Sequence, residues 1–365
     1  MADVIRVGLV GASVTEGSSG WGSGAHIPAL KTVPGYQIKA VCTAHEATAK
    51  ASAAAFGAEL AFHDFDAMIA NKDLDLISVV VRVPLHRELV MKALQAGKAV
   101  YCEWPLGNGL KEAQEMADLA RKKAVPNMSG LQSRSDPTIR YARELINQGY
   151  VGEVLLANLK IIAGAQTERG PGRIWQGIRS NGANPLTIPG GHSMDTVAFI
   201  LGDFTEVSAR IATRITQWRN TETGETMTVD APDAVGVIGK LKSNAEVSIQ
   251  IATAPSNAPG YRLEIYGRNG TLAISATSTN IGPSKIFGAQ GKDKLAELPV
   301  PESHKSAPAS TPAGPPQNVA NAYARFAKVF RSKDGIDPDF DTAVRLHRLI
   351  DAIERSAVER RTIDL

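Results

Sequence analysis

Cysteine is scarce and charge is nearly balanced, which excludes several classes of protein. The chain has only 2 cysteines among 365 residues, and its formal net charge at pH 7 is +3. No cluster of cysteine and histidine has the spacing of a metal site, so we expect no structural zinc. No block of lysines and arginines stands out, and we therefore expect no nucleic-acid partner.

Long apolar segments are also missing. No stretch approaches the roughly 18 apolar residues of a membrane span, so we expect no membrane partner. The first residues, MADVIRVGLVG, have neither the basic region nor the apolar core of a secretory signal. Cys42 and Cys102 lie inside apolar, strand-like segments, which favours buried and reduced thiols. Together these features predict a soluble cytoplasmic protein.

The length and the apolar content suit two domains, since 43% of the residues are apolar. In the first third, short β-branched segments such as VIRVGLVG and LISVVVRV alternate with helical patterns. Strands that alternate with helices are typical of βαβ units with a parallel sheet. We therefore expect an α/β fold with a doubly wound, dinucleotide-binding Rossmann domain over residues 1–131.

The pattern changes after residue 131, where the strands become longer and alternate between apolar and polar residues. Turn signals such as KSN and GRNG separate them. This pattern predicts a second α/β domain over residues 132–365 with one antiparallel sheet, one face of which is open to solvent while helices cover the other. Residues 277–316 are rich in proline, serine and glycine and predict a surface excursion. The final segment, PDFDTAVRLHRLIDAIERSAVERR, predicts a helix with an aspartate N-cap.

A loop rich in glycine and serine follows the first predicted strand. It lacks the strict G-x-G-x-x-G pattern, but it can turn tightly and present backbone N–H groups to a pyrophosphate. An ordinary flexible glycine loop would have the same composition, although the position after the first strand favours cofactor binding. The candidate binding residues in this loop are Gly11, Ser13, Ser18, Ser19, Gly20 and Trp21.

The end of the second predicted strand bears on the choice between NAD and NADP. An acid at this position would hold the ribose 2′-hydroxyl of NAD, whereas this chain has Thr43, followed shortly by His45. A hydroxyl and a potential cation would accept a 2′-phosphate, so we expect NADP rather than NAD. The alternative is that Thr43 only caps the following helix.

Several segments resemble the Gfo/Idh/MocA family of oxidoreductases, in the family's order and from residue 4 to about residue 357. They are AHIPAL, HRELVMKALQAGKAVYCEWPL, LQSRSDP, GGHSMDTVAFILGD, YRLEIYGRNGTLAIS and DTAVRLHRLIDAIERSA. EWPL, LQSRSDP and ARELINQGYVGEV are also similar to the subfamily of the fungal galactose-pathway repressor. The resemblance implies hydride transfer between NAD(P) and a carbohydrate-like hydroxyl or carbonyl, and a homodimer or homotetramer built on the large sheet. The subfamily implies an alternative, a non-catalytic regulator that binds a dinucleotide.

The resemblance also supplies candidate catalytic residues and shows two losses. Trp104 stands where the family has the lysine of Glu-Lys-Pro, and Ile188 stands where it has an aspartate four residues before a histidine. That histidine is kept as His192, a candidate proton carrier. Asp195, one helical turn on, either orients its imidazole or is a carboxylate on the helix surface. Glu103 is the third candidate, either close to the chemistry or positioning the cofactor.

The remaining candidates lie at the expected cofactor edge and around the expected substrate. The cofactor edge comprises Arg82, Val83, Pro84, His86, Glu103 and Trp104, where His86 more often caps a helix than touches a ligand. The substrate candidates are Trp104, Gln132, Arg134, Arg173, Trp175 and His192. Arg134 either anchors a polar or anionic group or pairs with a carboxylate. The segment around Arg173 and Trp175 lines a pocket or forms a surface loop.

Overall fold

The apolar segments of the first third form a parallel sheet of six strands, ordered β3-β2-β1-β4-β5-β6. The chain is described by a computed structural model over residues 4–15, 20–164, 167–254, 257–278 and 281–365. The strands are β1 (Ile5–Val10), β2 (Tyr36–Cys42), β3 (Leu60–Phe62), β4 (Leu76–Val79), β5 (Ala99–Glu103) and β6 (Asn127–Gly130). This order and the parallel pairing confirm the predicted Rossmann sheet.

Helices cover both faces of this sheet. Those between its strands are α1 (Ile27–Thr32), α2 (Glu46–Phe56), α3 (Phe65–Ala70), α4 (His86–Gln95) and α5 (Leu110–Lys123). Successive side chains of a strand point to opposite faces. In β5, Tyr101 accordingly packs in the core beside α1, whereas Val100 and Cys102 pack in the core beside α4 and α5.

The last third of the chain contributes a helix to the Rossmann sheet. Helices α6 (Pro137–Asn147) and α7 (Gly191–Leu201) come first, and α8 (Pro315–Val329) and α9 (Phe340–Glu359) follow much later in the chain. Tyr323 and Phe326 of α8 are buried in the same core as α1 and strand β1. The two predicted domains are therefore connected through a helix from the distant end of the sequence.

The second sheet has nine strands, ordered β17-β16-β15-β14-β7-β13-β12-β9-β18. They are β7 (Val154–Gly164), β9 (Phe204–Ala212), β12 (Ala234–Leu241), β13 (Glu246–Ala254), β14 (Gly260–Gly267), β15 (Gly270–Ala276), β16 (Lys285–Gln290), β17 (Ala296–Glu297) and β18 (Ile363–Asp364). A small separate sheet contains β8 (Glu168–Arg169), β10 (Gln217–Asn220) and β11 (Thr226–Thr228). The large sheet confirms the expected open-sheet domain.

Two details differ from the sequence-based expectation. The large sheet is mixed, because β7 and β13 pair parallel, whereas β7 pairs antiparallel with β14 and β13 pairs antiparallel with β12. Part of the expected surface excursion also belongs to the sheet, since β16 pairs with β15 and buries Ile286. The proline- and glycine-rich flanks concealed this short strand.

Side-chain caps define the starts of two helices. The Asp339 carboxylate accepts from the Thr342 amide at 2.8 Å, which confirms the predicted N-cap of α9. Asp136 caps α6 in the same way, through the amides of Thr138 and Ile139. Among the described helices, none is long and apolar enough to cross a membrane.

Candidate active site

The loop after β1 contains residues expected to bind a dinucleotide. Gly11 has a φ of +97°, and a Cβ at this position would lie 2.1 Å from the carbonyl oxygen of Val80. The loop therefore passes directly against the end of β4, which only glycine permits. The Ser13 hydroxyl donates to the Thr15 hydroxyl at 2.8 Å and accepts from the Thr15 amide at 3.0 Å.

Gly20 and Trp21 lead from this loop into a π-helical turn, Gly22–His26, which continues as α1. The turn begins at the edge where β1, β2 and β4 end, so the N–H groups of a helix start lie beside a glycine loop. This arrangement fits the pyrophosphate of a dinucleotide. Ser18 and Ser19 lie outside the described residues, and their expected role stays a prediction.

Thr43 and His45 lie at the turn between β2 and α2. The Thr43 hydroxyl donates to the His45 carbonyl oxygen at 3.1 Å and lies 2.7 Å from the Thr48 hydroxyl. The His45 side chain is exposed. Thr43 thus helps to hold this turn, while an exposed imidazole lies beside it at the adenosine end of the cofactor edge.

The segment after β4 makes two different connections. Arg82 is exposed, donates to the Pro171 carbonyl oxygen at 3.2 Å and lies 5.6 Å from the centre of the Trp175 ring. Val83 is buried and Pro84 is exposed. Arg82 therefore connects the cofactor edge to the segment that follows β8.

His86, also expected at this edge, is buried at the start of α4. Its two ring nitrogens lie 2.9 Å from the Pro105 carbonyl oxygen and 3.1 Å from that of Val81. Burial lowers the pKa of the His86 imidazole. The ring thus holds together the chain segments after β4 and β5, which is a positioning role.

A buried polar network surrounds Glu103 at the end of β5. Its carboxylate accepts from Gln132 Nε2 at 2.7 and 2.9 Å and from His26 Nε2 at 2.9 Å. The other ring nitrogen of His26 lies 2.9 Å from the Tyr323 hydroxyl, which lies 2.9 Å from the Ser78 hydroxyl. Since a carboxylate only accepts, His26 donates through Nε2, and its Nδ1 accepts from Tyr323 when the ring is neutral.

Neither His26 nor Tyr323 was among the site residues expected from the sequence. His26 belongs to the AHIPAL segment that carried the family resemblance, so a signal existed for it. Tyr323 lies 297 residues further along the chain, and nothing in its local sequence indicates a contact with His26.

Trp104 is a packed side chain, with 5% of its surface exposed. Its Nε1 donates to the Thr187 carbonyl oxygen at 2.7 Å, and its ring centre lies 4.6 Å from that of His347. A Cβ added at Gly191 would lie 2.6 Å from Trp104 Nε1, so the indole packs against the first residue of α7. The expected contact with substrate or cofactor is therefore limited to a small part of the ring.

His192 is the second residue of α7, which begins directly after a second π-helical turn, Leu186–Gly190. It is 2% exposed, and its Nδ1 has no hydrogen-bond partner within the described ranges. Burial lowers the pKa of His192 to about 4, against the opposing effect of the Glu103 carboxylate. The imidazole is thus neutral at pH 7, and its Nδ1 is a buried polar atom without a partner among the described residues.

Asp195 and Arg134 form a buried ion pair. Arg134 donates to the Asp195 carboxylate through Nη2 at 2.7 Å and through Nε at 2.9 Å, and its Nη1 donates to Asp337 at 2.8 Å. Asp195 is 2% exposed, so it is not a carboxylate on the helix surface. Of the alternatives for Arg134, the structure contains the pairing with a carboxylate. Such a pair positions α7 against the segment that follows β6.

A cavity of about 240 Å³ lies between the large sheet, the turn before α7 and the segment that contains β8. Ile188 and Pro189 line it just before His192, and Trp175 lies close by under Arg82. Its lining residues are Ile161, Ala163, Arg169, Arg173, Gln176, Asn184, Pro185, Ile188, Pro189, Trp218, Ile251, Ala252, Thr253, Ser278 and Ile281. Arg173 was expected here, whereas Arg169 and Trp218 were not.

Comparison with known proteins supports the sequence resemblance. Residues 5–131 match the model of the Gfo/Idh/MocA oxidoreductase family with an NAD-binding Rossmann fold, and residues 137–276 match the model of the Gal80p C-terminal domain. "Dehydrogenase aclE" of Aspergillus oryzae is 30% identical, over 98% of this chain and 97% of that protein. The chain belongs to the Gfo/Idh/MocA family.

Two further similar proteins have different functions in their names, since one is named as a regulator and the other as a dehydrogenase. The galactose/lactose metabolism regulatory protein GAL80 of Saccharomyces cerevisiae is 27% identical, over 80% of this chain and 69% of that protein. A structure of levoglucosan dehydrogenase, in complex with NADH and L-sorbose, is 21% identical with a TM-score of 0.86 and 99% coverage of both chains. At 21% identity, the similarity to levoglucosan dehydrogenase shows a shared fold and nothing more.

The two departures from the Gfo/Idh/MocA pattern lie near the start of α7, which contains His192. Trp104 packs at the start of α7, and Ile188 lines the cavity one turn earlier. Both replace charged side chains by uncharged ones. Among the described residues, no group of histidines, cysteines and acids is placed to hold a metal ion.

The buried state of His192 predicts a specific loss of stability in acid. Its folded pKa of about 4 lies below the ordinary 6.5, so the unfolded chain binds protons more readily between these values, and stability falls as pH drops through this window. Replacing His192 by Asn should reduce the fall between pH 7 and 4.5 by about 2–3 kcal/mol. Urea unfolding across this range measures it.

The matched control for this acid test is His63→Asn, because His63 is exposed. The control should keep the full acid-dependent loss of the wild-type protein. His347 is also buried, with a pKa lowered to about 3, so part of the loss should remain in the His192 variant. An unchanged pH profile in His192→Asn would contradict the assigned protonation state.

Proposed function

We propose that this chain is an NAD(P)-dependent oxidoreductase that transfers hydride to or from a carbohydrate-like hydroxyl or carbonyl. The observation that carries this proposal is His192, a neutral buried imidazole whose Nδ1 is unpaired within the described structure. Ile188 and Pro189, just before it in the chain, line a cavity of suitable size for a small molecule. The relatives named as dehydrogenases support the same reaction class.

The proposed chemistry uses one proton carrier. In the oxidising direction the substrate C–H bond breaks with transfer of a hydride, the O–H proton moves to His192, and a C=O bond forms. When bound, NAD(P) supplies the hydride acceptor. Glu103 and Asp195 are held by His26 and Arg134, so we assign them positioning roles rather than proton transfer.

The proposed cofactor contacts are those of the carboxyl edge of the Rossmann sheet. The glycine loop with Gly11 and Ser13 would approach the pyrophosphate, and Thr43 with His45 would approach the adenosine ribose. The remaining proposed contacts are Ser18, Ser19, Gly20, Trp21, Arg82, Val83, Pro84, Glu103 and Trp104, whereas we assign the buried His86 a positioning role at this edge. We propose NADP as the preferred dinucleotide, because an acid is missing at Thr43.

We expect slow turnover for two physical reasons. A base with a pKa of about 4 takes a proton less readily than an unperturbed imidazole. Trp104 also cannot supply the positive charge that a lysine offers to a developing oxyanion. Loss of one such donor costs roughly 10²–10³ in rate in other enzymes.

A non-catalytic regulator that binds a dinucleotide is the second candidate. It is favoured by the loss of both family charges at Trp104 and Ile188, and by the match of residues 137–276 to the Gal80p C-terminal domain. Such a protein would use the same cofactor edge but would act through a protein partner. The experiments below separate the two candidates.

Dinucleotide binding should be tighter for NADP⁺ than for NAD⁺. Introducing an acid through Thr43→Asp should weaken NADP⁺ binding by about tenfold or more, because the carboxylate repels a 2′-phosphate. Isothermal titration calorimetry measures both affinities. Thr223→Asp, in an exposed turn of the small sheet, is the matched control. Equal affinities in the wild-type protein would overturn the preference.

A homodimer or homotetramer should form through the outer face of the large sheet. This face presents Ile238 with 64% of its surface exposed, between Ser208 and Ser248 of the neighbouring strands. Ile238→Glu should lower the sedimentation mass toward the 38.7 kDa monomer, because a buried charge opposes association. Val358→Glu on α9, where Val358 is 77% exposed, should not. A monomeric wild-type protein at micromolar concentration would refute the interface.

His192 should be required for turnover and not for cofactor binding. His192→Asn should abolish hydride transfer, while dinucleotide affinity stays within a few-fold, because the side chain lies in the second domain. Dinucleotide absorbance across a panel of sugars and ketones gives the rate, and His63→Asn is the control. Full activity of His192→Asn would exclude the mechanism. If no substrate is turned over, the non-catalytic regulator becomes the better supported of the two proposals.

A further inference from the structure

The cavity before α7 has an uneven distribution of charge. Two arginines, Arg169 and Arg173, line it, and none of its described lining residues is an aspartate or glutamate. The remaining lining is largely apolar, with Ile161, Ile188 and Ile251 among its members. A cavity of this kind presents positive charge in an environment of low polarity, where charge interactions are strong.

Arg169 is the more informative of the two arginines. Its guanidinium carbon lies 4.9 Å from the centre of the Trp218 ring, and its Nε is buried with no hydrogen-bond partner in the described part of the chain. Burial and the nearby charge of Arg173 lower the pKa of Arg169 to about 10. A partly buried cation without an anion is unfavourable, and cation–π contact offsets only part of that cost.

The acid next to Arg169 in sequence does not neutralise it. Glu168 lies 3.4 Å from Arg219 on the neighbouring strand β10, and both of these side chains are largely exposed. The small sheet thus holds Arg219 outward, in an ion pair with Glu168, and Arg169 inward, where it lines the cavity. A ligand with a negative charge would provide the partner that the described residues do not give Arg169.

The cavity is also placed to serve the reaction centre. Ile188 and Pro189, which line it, come shortly before His192 in the chain, and the segment that contains Arg173 reaches Arg82 at the cofactor edge through Pro171 and Trp175. Ile188 matters for charge as well, because an aspartate at this position would repel an anion.

We propose that the molecule bound in this cavity carries a carboxylate or phosphate group, which Arg169 binds through charge-assisted hydrogen bonds on the side of the cavity that Arg173 also lines. The anionic group lies toward the small sheet, and the body of the molecule extends along the apolar wall toward His192. The inference rests on the proposed function for the identity of the cavity as a substrate site. It restricts that substrate to acidic carbohydrate-like molecules.

The test compares neutral and charged ligands with the same skeleton. Hexoses, the corresponding hexuronates and the corresponding hexose phosphates are titrated calorimetrically against the protein saturated with NADP⁺. At least one charged member should bind more tightly than its neutral parent, on the order of tenfold or more. Preference between the uronate and the phosphate identifies the anionic group.

Variants connect the preference to the arginine. Arg169→Gln should remove the advantage of the charged ligand, and Arg169→Lys, which keeps charge but loses the planar fork, should keep part of it. Arg219→Gln removes the same charge from the same small sheet outside the cavity and should bind as the wild-type protein does. Circular dichroism melting measures whether each variant is folded. If Arg169→Gln is not folded, Arg169→Lys serves as the test instead.

The outcomes separate this inference from the proposed function. The inference is overturned if no charged member binds more tightly than its neutral parent, or if the Arg169 variants bind it unchanged, even when hydride transfer occurs. It stands if a charged ligand binds in an Arg169-dependent manner without any change in dinucleotide absorbance. In that case the oxidoreductase proposal fails, and the protein is a sensor of an acidic ligand.

Discussion

The Glu103 carboxylate, 8% exposed at the end of β5, accepts hydrogen bonds from His26 and Gln132. A buried carboxylate is stable only when its charge is compensated by donors of this kind. Gly130 allows the arrangement, because a Cβ there would lie 2.6 Å from the carboxylate oxygen. Through His26 the network reaches Tyr323 on α8. The Glu103 carboxylate thus holds together the start of α1, the ends of β5 and β6, and helix α8 from the last part of the chain.

Trp104, the residue after Glu103, connects the end of β5 to the second domain. Its indole N–H holds the Thr187 carbonyl oxygen, in the turn that leads into α7. The ring packs against Gly191, directly before His192. A lysine at this position would bring a charge into the site, whereas the tryptophan brings packing. The histidine is consequently well buried and neutral, which suits a weak base or a purely structural side chain.

Charged side chains are distributed differently in this chain from the family pattern. Trp104 and Ile188 replace charged residues of that pattern, while Arg169 and Arg173 line the cavity. Arg134 contributes little to this field, because Asp195 and Asp337 neutralise it. Under the proposed function, this redistribution would move electrostatic recognition from the reacting centre to another part of a ligand. Binding of an acidic molecule is therefore compatible with a reaction centre that has few charges.

The sequence by itself determined the Rossmann strands, the glycine loop at Gly11 and the N-cap at Asp339. These features depend on local periodicity, on allowed backbone angles and on hydrogen bonds between near neighbours, all of which are visible within short windows. Only the tertiary structure decided that α8 covers the first sheet, that β7 pairs parallel to β13, and that Arg134 meets Asp195. It also decided that Arg169 lies over Trp218 beside a cavity. Each of these pairs residues far apart in the chain, and such pairing depends on packing that local sequence does not encode.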